Sequence, residues 1–133
     1  MSSIIRRSTL LIPTGSTADP NKRHLFVVLC DPVGRYGEAL LVSISTTPND
    51  GRRFDGTCLL SPGDHPFVKV DSFVEYRWAR IEHESQLRQG LQGGAFIARD
   101  PVSEPVFKRI LDGVRMSPFT ERRIVTFLRV NGL

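Results

Sequence analysis

The sequence predicts an α+β fold, in which a small antiparallel β-barrel or meander of about five strands is followed by C-terminal helices. Up to residue 81 the chain consists of short apolar runs separated by Pro, Gly, Asn and Asp, and no helix between them is long enough for a parallel crossover. Beyond residue 83 the apolar residues recur at helical spacing. The length of 133 residues, 40% of them hydrophobic and 24% charged, predicts a single soluble domain over 1–133.

The first four predicted strands are apolar runs bounded by turn residues. Residues 9–12 form a short run, closed by Pro13 and followed by an exposed loop over 16–23. Residues 24–30 and 38–45 are nearly continuous apolar runs, which is typical of strands that are largely buried. A polar loop then leads to a brief strand at 57–60.

Residues 61–81 are the chemically densest stretch of the chain. Pro62, Gly63 and Pro66 predict an irregular loop that carries His65 to the start of a fifth strand over 72–81. Strict alternation along this strand would place Val74, Tyr76 and Trp78 on one face. It would also place Arg77 and Arg80 on opposite faces unless a bulge intervenes.

Three helices are predicted after this strand. Residues 84–91 form a short one that stops at the following glycines. Ser103 caps a second helix whose apolar residues, from Val106 to Val114, fall on one face. The third helix spans 120–130, and Asn131 and Gly132 end it.

The charge of the chain leaves two interpretations open. The net charge is +4, and fifteen of the eighteen basic residues are Arg. Arg binds phosphate through a planar fork and stacks on bases, which favours an anionic partner such as nucleic acid. A GC-rich coding bias would produce the same excess of Arg.

Several classes of site are not predicted. The sequence has no glycine-rich phosphate loop, no nucleophile elbow and no Cys/His spacing suited to zinc, so we expect neither cofactor nor metal. It has no apolar run long enough for a membrane span, and residues 1–13 lack a signal-peptide pattern, which favours the cytoplasm. Cys30 and Cys58 lie in apolar runs and are expected to be buried, reduced thiols.

The polar residues that remain suit metal-free cleavage of RNA. That reaction needs a base for the 2′-hydroxyl, an acid for the leaving oxygen and a cation for the phosphorane charge. Side chains of the right types are present at His65, Tyr76, Arg23, Arg77 and Arg80. A structural network is the alternative, with Asp71 paired to Arg77, Tyr76 and Trp78 in the core, and His65 capping a turn.

Three stretches resemble the MazF/PemK toxins of the Kid/CcdB superfamily. Residues 22–29, KRHLFVVL, resemble the family's Arg-then-strand motif, with His24 in place of the usual Pro. Residues 39–47, ALLVSISTT, resemble the family's strand that ends in a Ser/Thr cluster. Residues 71–87, DSFVEYRWARIEHESQL, resemble the family's segment in which a strand is followed by a helix. The resemblance implies an SH3-like barrel and a homodimer. It also implies a toxin that cleaves single-stranded RNA without metal by 2′-hydroxyl attack and is inhibited by a cognate antitoxin.

The resemblance also implies roles for particular residues. Arg23 matches the catalytic Arg, and Thr46 matches the catalytic Thr/Ser, with Ser45 or Thr47 as alternatives in register. His65 lies outside the family's pattern, so it is either an added catalytic acid or base or a structural residue. Further arginines are predicted to bind RNA phosphates: Arg35, Arg52, Arg53, Arg77 and Arg80.

Two other functions remain open on the sequence. A CcdB-like toxin would poison a protein target such as gyrase through its C-terminal residues. A non-catalytic barrel would bind nucleic acid or a partner, with Arg35, Arg52 and Arg53 as its footprint.

Overall fold

A six-stranded antiparallel sheet carries three helices in the computed structural model, which describes residues 4–15 and 18–133. The strands are β1 (Thr9–Pro13), β2 (Arg23–Val28), β3 (Glu38–Thr46), β4 (Leu59–Leu60), β5 (Ser72–His83) and β6 (Ile97–Arg99). The helices are α1 (Glu84–Gln92), α2 (Glu104–Met116) and α3 (Arg122–Val130). The strand order is β4-β5-β3-β2-β1-β6, and each neighbouring pair is antiparallel. The predicted α+β class and antiparallel pairing are therefore confirmed.

The predicted elements are all present, and one strand was not foreseen. Five strands and three helices lie within a few residues of their predicted positions, and the Ser103 hydroxyl accepts a bond from the Val106 N–H at 3.4 Å as the cap of α2. The sixth strand, β6, pairs with β1 at the edge of the sheet. Of the loop predicted over 16–23, Ser16 and Thr17 lie outside the described residues. None of the helices in the described ranges is long and apolar enough to cross a membrane.

Both faces of the central strands are covered. On one face, alternate residues such as Val27 and Val42 pack with Ile110 of α2 and Leu128 of α3. We call this set the first cluster. On the other face, the intervening residues, such as Leu41, pack with Leu87 of α1 and form the second cluster. Since neither face of β2 or β3 meets water along most of its length, both strands have continuous apolar runs. Cys30 and Cys58 are buried free thiols, as expected, and burial raises the pKa of each.

Strand β5 bulges opposite Val42. The β3–β5 register runs from Leu41↔Arg80 directly to Ser43↔Glu75, so four residues of β5 lie opposite one residue of β3. The extra residues break the alternation of side chains between the two faces. Tyr76 is fully buried, as the structural alternative expected, but Trp78 is 64% exposed, so that alternative was wrong to place Trp78 in the core.

Candidate nucleic-acid groove

Two adjoining cavities form a groove beside the C-terminal end of β3. The first has a volume of about 590 Å³, and Arg53, Phe54, Arg77 and Phe119 are among its lining residues. The second, of about 470 Å³, is lined by Lys22, Arg23, His24 and Phe67 among others. Four residues line both cavities and join them into what we call the basic groove: Ser45, Thr46, Pro48 and Arg52.

Cationic side chains outnumber carboxylates in this groove. Its five Lys and Arg side chains face two carboxylates. One of these, Asp55, is only 7% exposed and accepts bonds from the Thr57 N–H at 3.0 Å and the Ser117 hydroxyl at 2.6 Å. The Asp55 carboxylate is therefore engaged inside the protein. Glu75 is the other carboxylate that lines the groove. The cationic residues are Lys22, Arg23, Arg52, Arg53 and Arg77.

The arginines of the groove are open to an incoming anion. Arg52 pairs with Asp50 at 2.9 Å, and its bonds lower the pKa of that carboxyl, but its own side chain is 74% exposed. An exposed pair of this kind contributes little to stability, so a phosphate can compete for the guanidinium. The structural alternative predicted that Arg77 pairs with Asp71, and this pairing is not formed. The Arg77 guanidinium instead stacks on the ring of Phe119, 4.7 Å from the centroid.

Aromatic rings are interleaved with these charges. Phe54 is 38% exposed and packs on buried Phe73 with ring centroids 5.1 Å apart, so its ring is supported from beneath. Phe119 and Phe67 are 41% and 43% exposed. Exposed rings between guanidinium groups are what single-stranded nucleic acids bind, because each base can stack while its phosphate is neutralised.

The Ser/Thr cluster at the end of β3 lies at the centre of the groove. Thr46 is exposed, lines both cavities and has no hydrogen-bond partner for its hydroxyl among the described residues. Ser45 is half-buried and donates to Glu75 Oε2 at 3.1 Å. Thr47 lines only the second cavity, and its backbone N–H donates to the Asp71 carbonyl at 3.0 Å. Of the three, Thr46 has the hydroxyl most available to a ligand.

Arg23 and His24 bring the start of β2 to the same place. Leu25 pairs with Ile44, so the register continued by two residues sets Arg23 beside Thr46 and His24 beside Ser45. The Arg23 Nε donates to the Ala95 carbonyl at 3.3 Å, which anchors the guanidinium at the groove. The Nδ1 of His24 is hydrogen-bonded to the Thr14 hydroxyl. Partial burial, and then the charge of Lys22, lower the pKa of His24, while Glu75 opposes them.

His65 is placed as a structural residue. It is 3% exposed, and its Nδ1 accepts the Phe67 N–H at 3.0 Å. The ring proton is therefore on Nε2, which donates to the Asp100 carbonyl at 2.5 Å. With both nitrogens engaged inside the protein, the side chain cannot exchange a proton with a substrate in the groove. This corresponds to the structural alternative for His65, and the catalytic role predicted for it is not retained.

Two predicted phosphate ligands lie elsewhere. Arg35 is in the turn before β3, and Thr46 is at the other end of that strand, whose length is about 26 Å. Arg80 stacks on Phe26 of the second cluster, 4.4 Å from the ring centroid, and pairs with Glu82 at 3.5 Å. Of the eight predicted site residues, the structure thus gathers Arg23, Thr46, Arg52, Arg53 and Arg77 at the groove.

Sequence reasoning missed four residues of the groove. Phe54 and Phe67 lie next to residues that were singled out, and His24 was noted only as a departure from a family pattern. Phe119 follows Pro118 in the linker between α2 and α3, and tertiary packing alone brings it to Arg77. Within residues 4–15 and 18–133, no three His, Cys, Asp or Glu side chains come together as a metal-binding group.

Comparisons with protein-family models, curated proteins and solved structures give no match for this chain.

Proposed function

We propose that the protein binds single-stranded RNA in the basic groove and cleaves it without metal, by attack of a 2′-hydroxyl on the adjacent phosphate. The observation that supports the proposal is the convergence of Arg23 and Thr46 in one groove, which also holds Arg52, Arg53 and Arg77. Arg23 and Thr46 are the two residues to which the MazF/PemK resemblance gives catalytic roles. They meet between exposed rings that suit unpaired bases.

Each residue has a role that suits its position. Arg23, anchored through Ala95, would stabilise the charge that develops on the phosphorane oxygens. The free hydroxyl of Thr46 would hydrogen-bond a non-bridging oxygen of the same phosphate. Arg52 and Arg53 would bind the phosphates on one side of the cleaved bond, and Phe119, backed by Arg77, would stack the base beyond them.

The proposal extends to partners and assembly. An SH3-like barrel that acts as a cytoplasmic toxin would need an antitoxin, which would block the basic groove. By the same resemblance the active form would be a homodimer whose groove continues across two subunits.

The direct test is to incubate the purified protein with a single-stranded RNA in EDTA and analyse the ends of the products. We expect a cyclic phosphate on one fragment and a free 5′-hydroxyl on the other, and no cleavage where the 2′-hydroxyl is replaced by hydrogen. Arg23→Ala should lower the rate by about 10²–10³-fold. The matched control is Arg35→Ala, which removes an arginine far from the groove. Intact RNA at a large excess of protein would refute the cleavage activity.

A second function is RNA binding without cleavage. The exposed rings and arginines of the basic groove favour it, because base stacking and phosphate binding require no catalytic step. It predicts an RNA complex that weakens steeply with salt while the RNA stays intact. The same incubation, followed by a filter-binding measurement, separates the two functions.

A further inference from the structure

His24 is the histidine whose position suits the proton acceptor of this reaction, because His65 is buried with both ring nitrogens engaged. His24 lines the second cavity of the groove, next to Arg23 in the chain and beside Ser45 across the sheet. Of the three histidines it is the one that lines the groove, since His83 is at the end of β5, where its Nδ1 lies 3.4 Å from the Tyr36 carbonyl.

We propose that His24 is the general base of the cleavage reaction, and that Thr14 holds its ring with Nε2 directed to the substrate. This inference rests on the proposed function, since it assigns a step of that reaction. The sequence resemblance does not suggest it, because the related family has Pro at this position.

The hydrogen bonds of the ring define which nitrogen is free. Nδ1 is bonded to the Thr14 hydroxyl, and Nε2 has no hydrogen-bond partner among the described residues. In the tautomer that carries its proton on Nδ1, the ring donates to Thr14 and keeps the lone pair on Nε2. A neutral imidazole with a free lone pair is the form that a general base requires.

Partial burial and the Lys22 charge favour this neutral form, and Glu75 opposes them. Lys22 lies before β2, Arg23 adjoins His24 in the chain, and Glu75 of β5 accepts the hydroxyl of Ser45 at 3.1 Å. Partial burial and the Lys22 charge lower the pKa of His24, which disfavours the imidazolium at neutral pH. On the side of β1, Ile12 pairs with His24 and Thr14 bonds its ring, and neither side chain is charged.

The step conserves atoms and charge. Nε2 takes the proton of the 2′-hydroxyl as the 2′-oxygen forms a bond to phosphorus. The bond between phosphorus and the 5′-oxygen then breaks, and the leaving oxygen takes a proton from water. His24 returns its proton to the solvent, which leaves a cyclic phosphate and a 5′-hydroxyl. The cationic side chains that line the groove balance the added negative charge on the phosphorane.

The test uses His24→Asn, whose side-chain amide can still donate to Thr14 but offers no basic nitrogen. We expect about a 10²–10⁴-fold lower cleavage rate, with RNA affinity and melting temperature close to wild type. Added imidazole should restore part of the activity of His24→Ala. Thr14→Val should reduce the rate, and Thr14→Ser should recover it. His83→Ala is the matched control and should cleave at the wild-type rate.

The outcomes distinguish the two proposals. If the wild-type chain cleaves RNA and His24→Asn cleaves it equally fast, the assignment of the base is overturned and the activity stands. If the wild-type chain leaves RNA intact, the activity itself is overturned. If His24→Ala is inactive and imidazole fails to raise its rate while its RNA binding also disappears, His24 serves binding, and the general-base role is overturned.

Discussion

The imidazole of His65 donates from Nε2 to the carbonyl oxygen of Asp100 at 2.5 Å, and this bond joins the two edges of the sheet. His65 lies in the loop after β4, at one end of the strand order, while Asp100 follows β6 at the other end. The same carbonyl accepts the hydroxyl of Thr9 from β1 at 2.7 Å. The loop between β4 and β5 is thereby fixed across the opening of the curled sheet.

This bond predicts that His65→Ala destabilises the fold. The substitution leaves the Phe67 N–H without its acceptor and removes one donor from Asp100, so we expect a decrease in stability of about 1–3 kcal/mol. Urea unfolding at pH 7.5 measures it, with His83→Ala as the exposed control. A His65→Ala protein of wild-type stability that no longer cleaved RNA would instead restore the catalytic interpretation.

Removing the groove arginines should change how RNA binding depends on salt. Arg52→Ala and Arg53→Ala should each reduce the slope of log K against log salt by about 0.7 for every phosphate that the arginine neutralises. The affinity should fall to a similar degree for different RNA sequences, because phosphates carry no sequence information. Fluorescence anisotropy between low and moderate salt measures the slope. Arg35→Ala should leave the slope unchanged, and a smaller slope in that variant would move the binding surface away from the groove.

Gly113 is expected to tolerate no side chain. A Cβ at this position of α2 would lie 2.0 Å from the Tyr76 hydroxyl oxygen. That hydroxyl is fixed by its bond to the Ile110 carbonyl at 2.7 Å inside the first cluster. Gly113→Ala should therefore cost about 1–3 kcal/mol through overpacking, although Ala favours helices.

The matched control is Gly56→Ala, where nothing lies within 4 Å of the added Cβ. We expect it to change the stability by less than about 0.5 kcal/mol. Equal unfolding midpoints for the two variants in urea would show that α2 can shift away from Tyr76.

His24 should make the stability of the fold depend on pH. Its pKa in the folded protein is below the ordinary value of 6.5, which we take for the unfolded chain. Its contribution to stability is therefore fully present above pH 6.5 and is lost as the pH falls towards the folded pKa, because the unfolded state binds the proton more readily. Carboxylates and the other histidines titrate as well, so the measurement compares wild type with His24→Asn at pH 7.5 and 5. The variant should lose less stability, and an equal or greater loss would contradict the lowered pKa.

The sequence allowed the strands to be placed because burial on both sides makes β2 and β3 continuously apolar. It did not reveal β6, since Ile97, Ala98 and Arg99 are all exposed and pair only through a distant partner, β1. The bulge in β5 was considered, but its position depends on how Tyr76 fits under α2.

The residues of the candidate site also divide into those that local sequence predicts and those that only tertiary packing brings together. Thr46, Arg52 and Arg53 are close in sequence, so a single loop brings them together. Phe119 and Glu75 join them through tertiary packing that no local pattern indicates. His65 was singled out correctly as unusual, but its role depends on an acceptor, the Asp100 carbonyl, that any residue could have supplied.

Strand β3 links the two clusters in a way that bears on how the protein unfolds. Leu41 belongs to the second cluster and Val42 to the first, and both are fully buried. Departure of β3 from the sheet would therefore expose both clusters to water at once. Because the two clusters share this strand, we expect the domain to unfold in a single transition. The amide hydrogens of β3 would then exchange with solvent only when the whole chain opens.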